Sequence, residues 1–280
     1  MSATLCVAAL IYYRGWVRLR QLLPTVPSRW WPYAFVGGLF ALWAAIGSPL
    51  AALDEELLSV HMVQHILLSL IAAPLILLGA PALPLLYGIP RLFNLRGGVA
   101  RLLRSCPLRG LRGALAQPAI CWSVALVVFI GWHAPPLFQL GLRSEGWHGL
   151  EHASFFGSGL MFWWPVVQPW PSTPKWPRWS VPLYLFGATL PCDGLSAFLA
   201  FSDRVVYPAY LSAPRHVGLS ALQDQECAGA LMWLCVTIAY VIPAAIVTTK
   251  LLSAPTEERS ARGADPGSLG VPPSRNASVI

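Results

Sequence analysis

Two runs, His61-Met62-Val63-Gln64-His65 and His148-Gly149-Leu150-Glu151-His152, each place a pair of histidines four positions apart inside apolar sequence. On an α-helix, residues i and i+4 lie one above the other, so each pair aims two imidazoles at one point. Such pairs hold metal ions or haem iron. His133, in Trp132-His133-Ala134-Pro135-Pro136, is a fifth candidate, and Asp224, Gln225, Glu226 and Cys227 form a further polar group with Met232 about two turns beyond. Imidazole suits copper, zinc and iron, while a thioether or thiolate nearby favours Cu(I). Met62, Cys227 and Met232 are therefore the soft candidates, and copper, as Cu(I) or Cu(II), fits the donor set best.

The rest of the chain sets the solvent for this chemistry. Hydrophobic residues make up 56% and charged residues 11% of the 280 positions, and the mean hydropathy is +0.58. A soluble domain of this length carries about twice that charge. The composition implies a polytopic all-α membrane protein. The formal charge of +7 then marks cytoplasmic loops rather than a nucleic-acid surface, so no nucleic-acid partner is expected.

Windows of about 20 apolar residues, the length that crosses a hydrocarbon core, predict seven spanning helices over 31–52, 57–86, 118–140, 147–170, 181–201 and 222–252, with a weaker first one over 3–17 interrupted by Arg14. The charges Arg14, Arg18 and Arg20 follow that first apolar run instead of preceding it, which argues against a signal peptide. Six arginines and no acid lie between the third and fourth spans (Arg91, Arg96, Arg101, Arg104, Arg109, Arg112), and Lys175 and Arg178 follow two spans later. The excess of arginine places those loops in the cytoplasm, with the N-terminus outside and the C-terminus inside. Asp54, Glu55, Glu56 and Glu145 then fall on the outer side. Residues 1–252 read as one membrane domain, and the Gly, Pro and Ser-rich stretch 253–280 reads as a disordered cytoplasmic tail.

This topology places His61, His65, His133, His148 and His152 from three helices at one depth near the outer surface, with Asp224 and Cys227 at the same level and expected on one helix face. Ionisable groups in a spanning segment are costly and face the bundle interior, where they pair, conduct or ligate. Asp193, beside Cys192 in the sixth span, is a further carboxylate in need of a partner. His216 reads as a solvated loop residue. No C-x-x-C spacing occurs among Cys6, Cys106, Cys121, Cys192, Cys227 and Cys235, so neither a zinc knuckle nor a redox pair is encoded. Cys106 belongs to the cytoplasmic loop, and Cys121 and Cys235 read as small core residues.

Three other readings compete with a copper site. A b-type cytochrome holds haem between histidines on neighbouring helices, as His65 with His152, or His61 with His148, could do. Histidines one turn apart nevertheless crowd a single axial position. The run from His148 to His152 also fits H-x-x-E-H, in which two histidines hold Zn²⁺ and Glu151 would activate water for a membrane metalloprotease. Finally, histidines can serve only as hydrogen-bonding links between helices.

The residues Leu58-Ser59-Val60-His61-Met62-Val63-Gln64-His65-Ile66-Leu67-Leu68, Ala73-Pro74 with Leu78-Gly79-Ala80-Pro81, Trp132-His133-Ala134-Pro135, Glu151-His152-Ala153-Ser154-Phe155 with Phe162-Trp163-Trp164-Pro165, and Asp224-Gln225 with Ala228-Gly229 and Met232-Trp233 resemble the CtaG family of cytochrome c oxidase assembly factors, over nearly all of the membrane part. The resemblance implies a multi-pass protein of the bacterial inner membrane that matures haem-copper oxidases and handles copper for them, a metallochaperone rather than an enzyme. The partner it implies is an oxidase subunit or a soluble copper carrier. The family's motif positions fall on His61, Met62, His65, His133, His148, Glu151, His152, Asp224, Gln225 and Met232. Two positions depart from its pattern: Phe138, where an aromatic hydroxyl is usual, and Glu226-Cys227, where an uncharged pair is usual. The expected site has ligands among the five histidines, opens toward the periplasmic face, and uses Glu151 and Asp224 to orient imidazoles.

Overall fold

A computed structural model describes residues 1–89, 117–169, 176–214 and 218–263, the last ten of these by backbone only. The arginine-rich segment with Cys106, Lys175, His216 and the tail from 264 lie outside the described residues. Among the described residues every regular element is helical. Helix α1 is Ser2–Leu22, α2 is Trp31–Ile46, and α3 is a continuous span, Leu58–Leu78. A short α4, Ala82–Gly88, follows. Then come α5 (Pro118–His133), α6 (Pro135–Leu142), α7 (Glu145–Val167), α8 (Ser180–Phe201) and α9 (Ala221–Gly263).

Among the described residues four helices are long and apolar enough to cross a membrane, α2 with the turn after it, α3, α8 and α9, and the bent pair α5–α6 makes a fifth. Their outward faces are apolar, with Phe40, Val127, Phe186, Phe198, Leu234 and Val241 all exposed. Helices α1 and α7 fall short of that standard by composition. Helix α1 carries Arg14, Arg18 and Arg20, and the first half of α7 holds Glu145, His148, Glu151 and His152.

Two of the predicted spans are broken. The expected span 57–86 stops as a straight helix at Leu78, because Gly79 and Pro81 interrupt it and the chain restarts as α4. Helix α4 packs on α1, and the Tyr12 hydroxyl donates to the freed Gly79 carbonyl. The expected span 118–140 turns by 75° between α5 and α6. Ala134 precedes Pro135, which disfavours the helical region for it, and it sits extended at φ −68°, ψ 128°. Pro135 then starts α6, which lies across the end of the bundle.

Within α3, residues Leu67–Ala72 form a π-helical segment. Ala73 N–H accordingly reaches back five residues to the Leu68 carbonyl. Pro74, next in line, has no N–H to give Ser69, and the Trp163 indole N–H of α7 donates to that carbonyl at 2.9 Å. The core sits between α3, α7, α8 and α9 and includes Met62, Leu70, Phe162, Leu185, Leu199 and Met232. The link between α8 and α9 folds over one end of it, held by Gln225, whose Oε1 accepts from Val206 N–H at 2.7 Å while its amide donates to the Leu199 and Arg204 carbonyls.

Candidate metal centre

Helix α3 starts at Leu57 without a capping side chain from its own segment. The cap comes from α9. Asp224 Oδ2 accepts from Leu58 N–H at 2.6 Å and Oδ1 from Ser59 N–H at 3.2 Å. A carboxylate there satisfies two orphan donors at the positive end of the helix dipole. The turn that carries His61 is thereby tied to the first turn of α9. Helix α7 starts more conventionally, with Ser144 Oγ accepting from Trp147 N–H, which puts His148 in its first turn. At the foot of α5, His133 lies in the last helical turn before the break at Ala134.

These three helix ends bring five imidazoles into one cluster. Ring centroids are 4.4 Å apart for His61 and His65, 4.2 Å for His148 and His152, and 5.4 Å for the nearly parallel rings of His61 and His148. His65 lies 5.9 Å from His152 and 6.0 Å from His133. Phe155 stacks on His65 at 4.0 Å and Phe138 stands 5.0 Å from His61. From the α8–α9 link, Tyr207 stacks on Phe138 at 4.0 Å and its hydroxyl donates to the His133 carbonyl at 2.9 Å.

Glu151 sits inside the cluster with none of its side chain exposed, Oε1 3.4 Å from His61 Nε2 and 3.3 Å from His65 Nε2. With metal bonds of about 2.0–2.1 Å, neighbouring donors of a tetrahedral site stand about 3.3 Å apart. Glu151 Oε1 already stands at nearly that spacing from both imidazoles. Space for the carboxylate comes from Gly141, where a Cβ would stand 2.5 Å from Glu151 Oε2. His133 Nδ1 lies 2.7 Å from the Phe129 carbonyl. A carbonyl only accepts, so Nδ1 carries the proton and Nε2 is left as a bare lone pair, the usual preparation of a metal-ligating histidine.

Several buried polar atoms in the cluster have no hydrogen-bond partner: Nδ1 of His61, Nδ1 of His65, Nε2 of His133, Nε2 of His152 and Oε2 of Glu151. Leaving such a group unpaired costs about 1–3 kcal/mol. A metal cation is a ligand that lone-pair nitrogens and a carboxylate can share.

The soft candidates divide. Met62 and Met232 are buried and line a cleft of about 370 Å³ together with His65, His133 and Cys192. Cys227 is exposed, as is Glu226, although Asp224 on the same helix is buried. The expectation that Asp224 and Cys227 share a face fails because three residues leave a rotation of about 60°, enough to carry Cys227 out of the interface. Asp224 also differs from its expected part, since it touches backbone amides and not an imidazole. Asp193 is half-buried, its Oδ1 lacks a hydrogen-bond partner, and it takes no part in the histidine contacts.

The sequence reading misses Asp54. It lies in the α2–α3 connection, a segment without periodicity, yet it is buried with Oδ2 3.6 Å from His148 Nε2. Its one visible signal is its position seven residues before His61. The result is two donor groups, His61 with His65 and Glu151, and Asp54 with His61 and His148, each with ligand atoms within 4.8 Å of one another.

No curated protein and no solved structure matches the chain. The family model for the cytochrome c oxidase caa3 assembly factor (Caa3_CtaG) matches residues 10–254, which contain every residue of the cluster. The chain belongs to the Caa3_CtaG family of cytochrome c oxidase assembly factors.

Proposed function

We propose that this assembly factor binds a copper ion at the histidine cluster and passes it to a haem-copper oxidase, taking it from or giving it through a soluble copper carrier. The observation that carries this reading is the buried group of His61, His65 and Glu151, whose carboxylate oxygen stands at tetrahedral donor spacing from both imidazoles, with the unpartnered Nε2 of His133 and His152 beside it. His133 and His152 complete the ligand set, and Met62 and Met232 give it a soft side suited to Cu(I). The ion is cargo. No covalent bond of a substrate is made or broken, and the chain acts as a metallochaperone in the bacterial inner membrane.

In this reading α1 and α7 also cross the bilayer, for seven spans with the N-terminus outside and the arginine-rich sequence 90–116 in the cytoplasm. The cluster then faces the periplasm. A haem would need a slot between two imidazoles, whereas these rings touch one another and Phe138 and Phe155 cover the remaining sides. A metalloprotease would need Glu151 free to activate water, but its carboxylate is fully buried between two histidines.

The test is elemental analysis and a visible spectrum of the detergent-purified full-length chain beside a His65→Ala/His152→Ala variant. About one copper per chain is expected in the wild type, at least tenfold less in the folded variant, and no Soret band in either. A Soret band, or equal copper in both proteins, would reject the proposal.

A further inference from the structure

We infer that the cluster is two overlapping three-donor sites hinged on His61: an outer site of Asp54, His61 and His148 that takes up the cation, and an inner site of His61, His65 and Glu151 that holds it. The inference rests on the copper reading above and adds a route to it. Both groups place their donors within 4.8 Å of one another, and only His61 belongs to both.

Access separates them. The His148 side chain is 20% exposed, against 6% for His65 and none for His61 and Glu151. His148 is therefore the donor that an ion arriving from solvent meets most readily. Asp54 is the less exposed partner of the outer pair, and its place is set from the α8–α9 link, since the Tyr210 hydroxyl donates to the Asp54 carbonyl at 2.9 Å. A loop carboxylate buried and anchored in this way, 3.6 Å from an imidazole, is more than a solvated acid. The His61 and His148 rings lie nearly parallel with centroids 5.4 Å apart, and their ligand atoms and a carboxylate oxygen of Asp54 all fall within 4.8 Å of one another.

The two sites are also matched in charge, each with one carboxylate among neutral imidazoles. Passage inward breaks the bonds to Asp54 and His148 and forms those to His65 and Glu151, with His61 as the retained ligand and the oxidation state unchanged. The ion is never released bare into the low-dielectric interior, where an unpaired charge is very costly. The net charge around it is the same at both ends, so neither position is an electrostatic trap. His152, whose ring lies 4.2 Å from His148 and 5.9 Å from His65, spans the gap between the outer and inner donors.

The experiment follows uptake of Cu(I) from its coloured bicinchoninate complex by the full-length protein in detergent, comparing wild type, Asp54→Asn and Glu151→Gln, with His148→Gln as a second outer-site variant in case Asp54→Asn does not fold. Outer-site variants are expected to take up copper about tenfold more slowly and reach the wild-type content. Glu151→Gln is expected to fill at the wild-type rate and lose its copper on desalting. Wild-type uptake rates in both outer-site variants would overturn the route while leaving the copper site standing, as would an outer-site variant that retains no copper, which would mean one joint site. No uptake by the wild type would remove the copper reading itself, and the route with it.

Discussion

The two halves of helix α3 are held in opposite ways. From Leu58 to Ile66 the buried residues include His61, Gln64 and His65 beside Leu58, Met62 and Ile66, and distant groups secure the polar ones and the helix start by directed bonds: Asp224 caps its amides, Glu151 meets its two histidines, and the Gln64 amide donates to the Ala45 carbonyl at 3.0 Å. From Leu67 to Leu78 the neighbours gain hold by close approach. A Cβ on Gly159 would stand 3.0 Å from Ser69 Cα, and one on Gly38 would stand 2.9 Å from the Ile76 amide nitrogen. Helix α9 repeats the division, with Asp224 and Gln225 at one end and Gly229 one to two turns on. In lipid, where apolar side chains gain little by leaving their surroundings, close backbone approach and interhelical hydrogen bonds are what remain to join helices. The closest backbone approaches and the histidine–carboxylate cluster thus fall on different stretches of the same helices.

Breaking the apolar stretch should cost the fold. A Cβ on Gly229 would lie 2.7 Å from Ala200 N and 2.8 Å from Ser196 O, both backbone atoms of α8. Gly229→Val must push α8 and α9 apart, at about 3 kcal/mol or more. The expected outcome is aggregation or a melting temperature lower by ten degrees or more in detergent. A wild-type melt would show that α8 and α9 do not meet as described.

Breaking the polar stretch should cost the metal instead. Gly141→Ala displaces the Glu151 carboxylate without touching the α8–α9 contact, so copper affinity is expected to fall about tenfold, the size of effect that ligand-supporting groups give. Thermal unfolding should stay close to wild type. Unchanged affinity, measured by competition with a Cu(I) chelator, would mean that Glu151 does not bear on the ion.

Asp224→Asn tests the join between the two kinds of contact and should have the smallest effect. Asn retains one acceptor for the amides of α3 but loses the charge, for a loss of about 1 kcal/mol. A melt lowered by a few degrees together with a two- to threefold weaker copper affinity is expected. A loss of copper as deep as that of the double histidine variant would make Asp224 a ligand after all.

Much of this was legible in the sequence because helices repeat. The i, i+4 pairs at His61/His65 and His148/His152 predicted their own convergence, and Pro135 marked where the fourth span bends. The burial of Asp54 could not be read for the converse reason, since a connection has no period from which burial follows. The part played by Asp224 was out of reach in another way. Periodicity says that a residue faces inward, but not whether it will meet an imidazole or the unbonded amides at the start of a neighbouring helix. The end of the third straight helix at Leu78 was readable from Gly79 and Pro81, but the apolar run beyond them concealed it.

The π-helical segment at Leu67–Ala72 has a geometric result beyond the carbonyl it offers to Trp163. One residue more per turn than an α-helix needs makes every later side chain lag by about 100°. Helix α3 is therefore two ordinary helices joined out of phase, one clocked so that His61 and His65 look toward α7, the other so that Ala72 and Ile76 look toward Gly38 of α2. An unbroken α-helix of the same sequence could satisfy either neighbour, but not both.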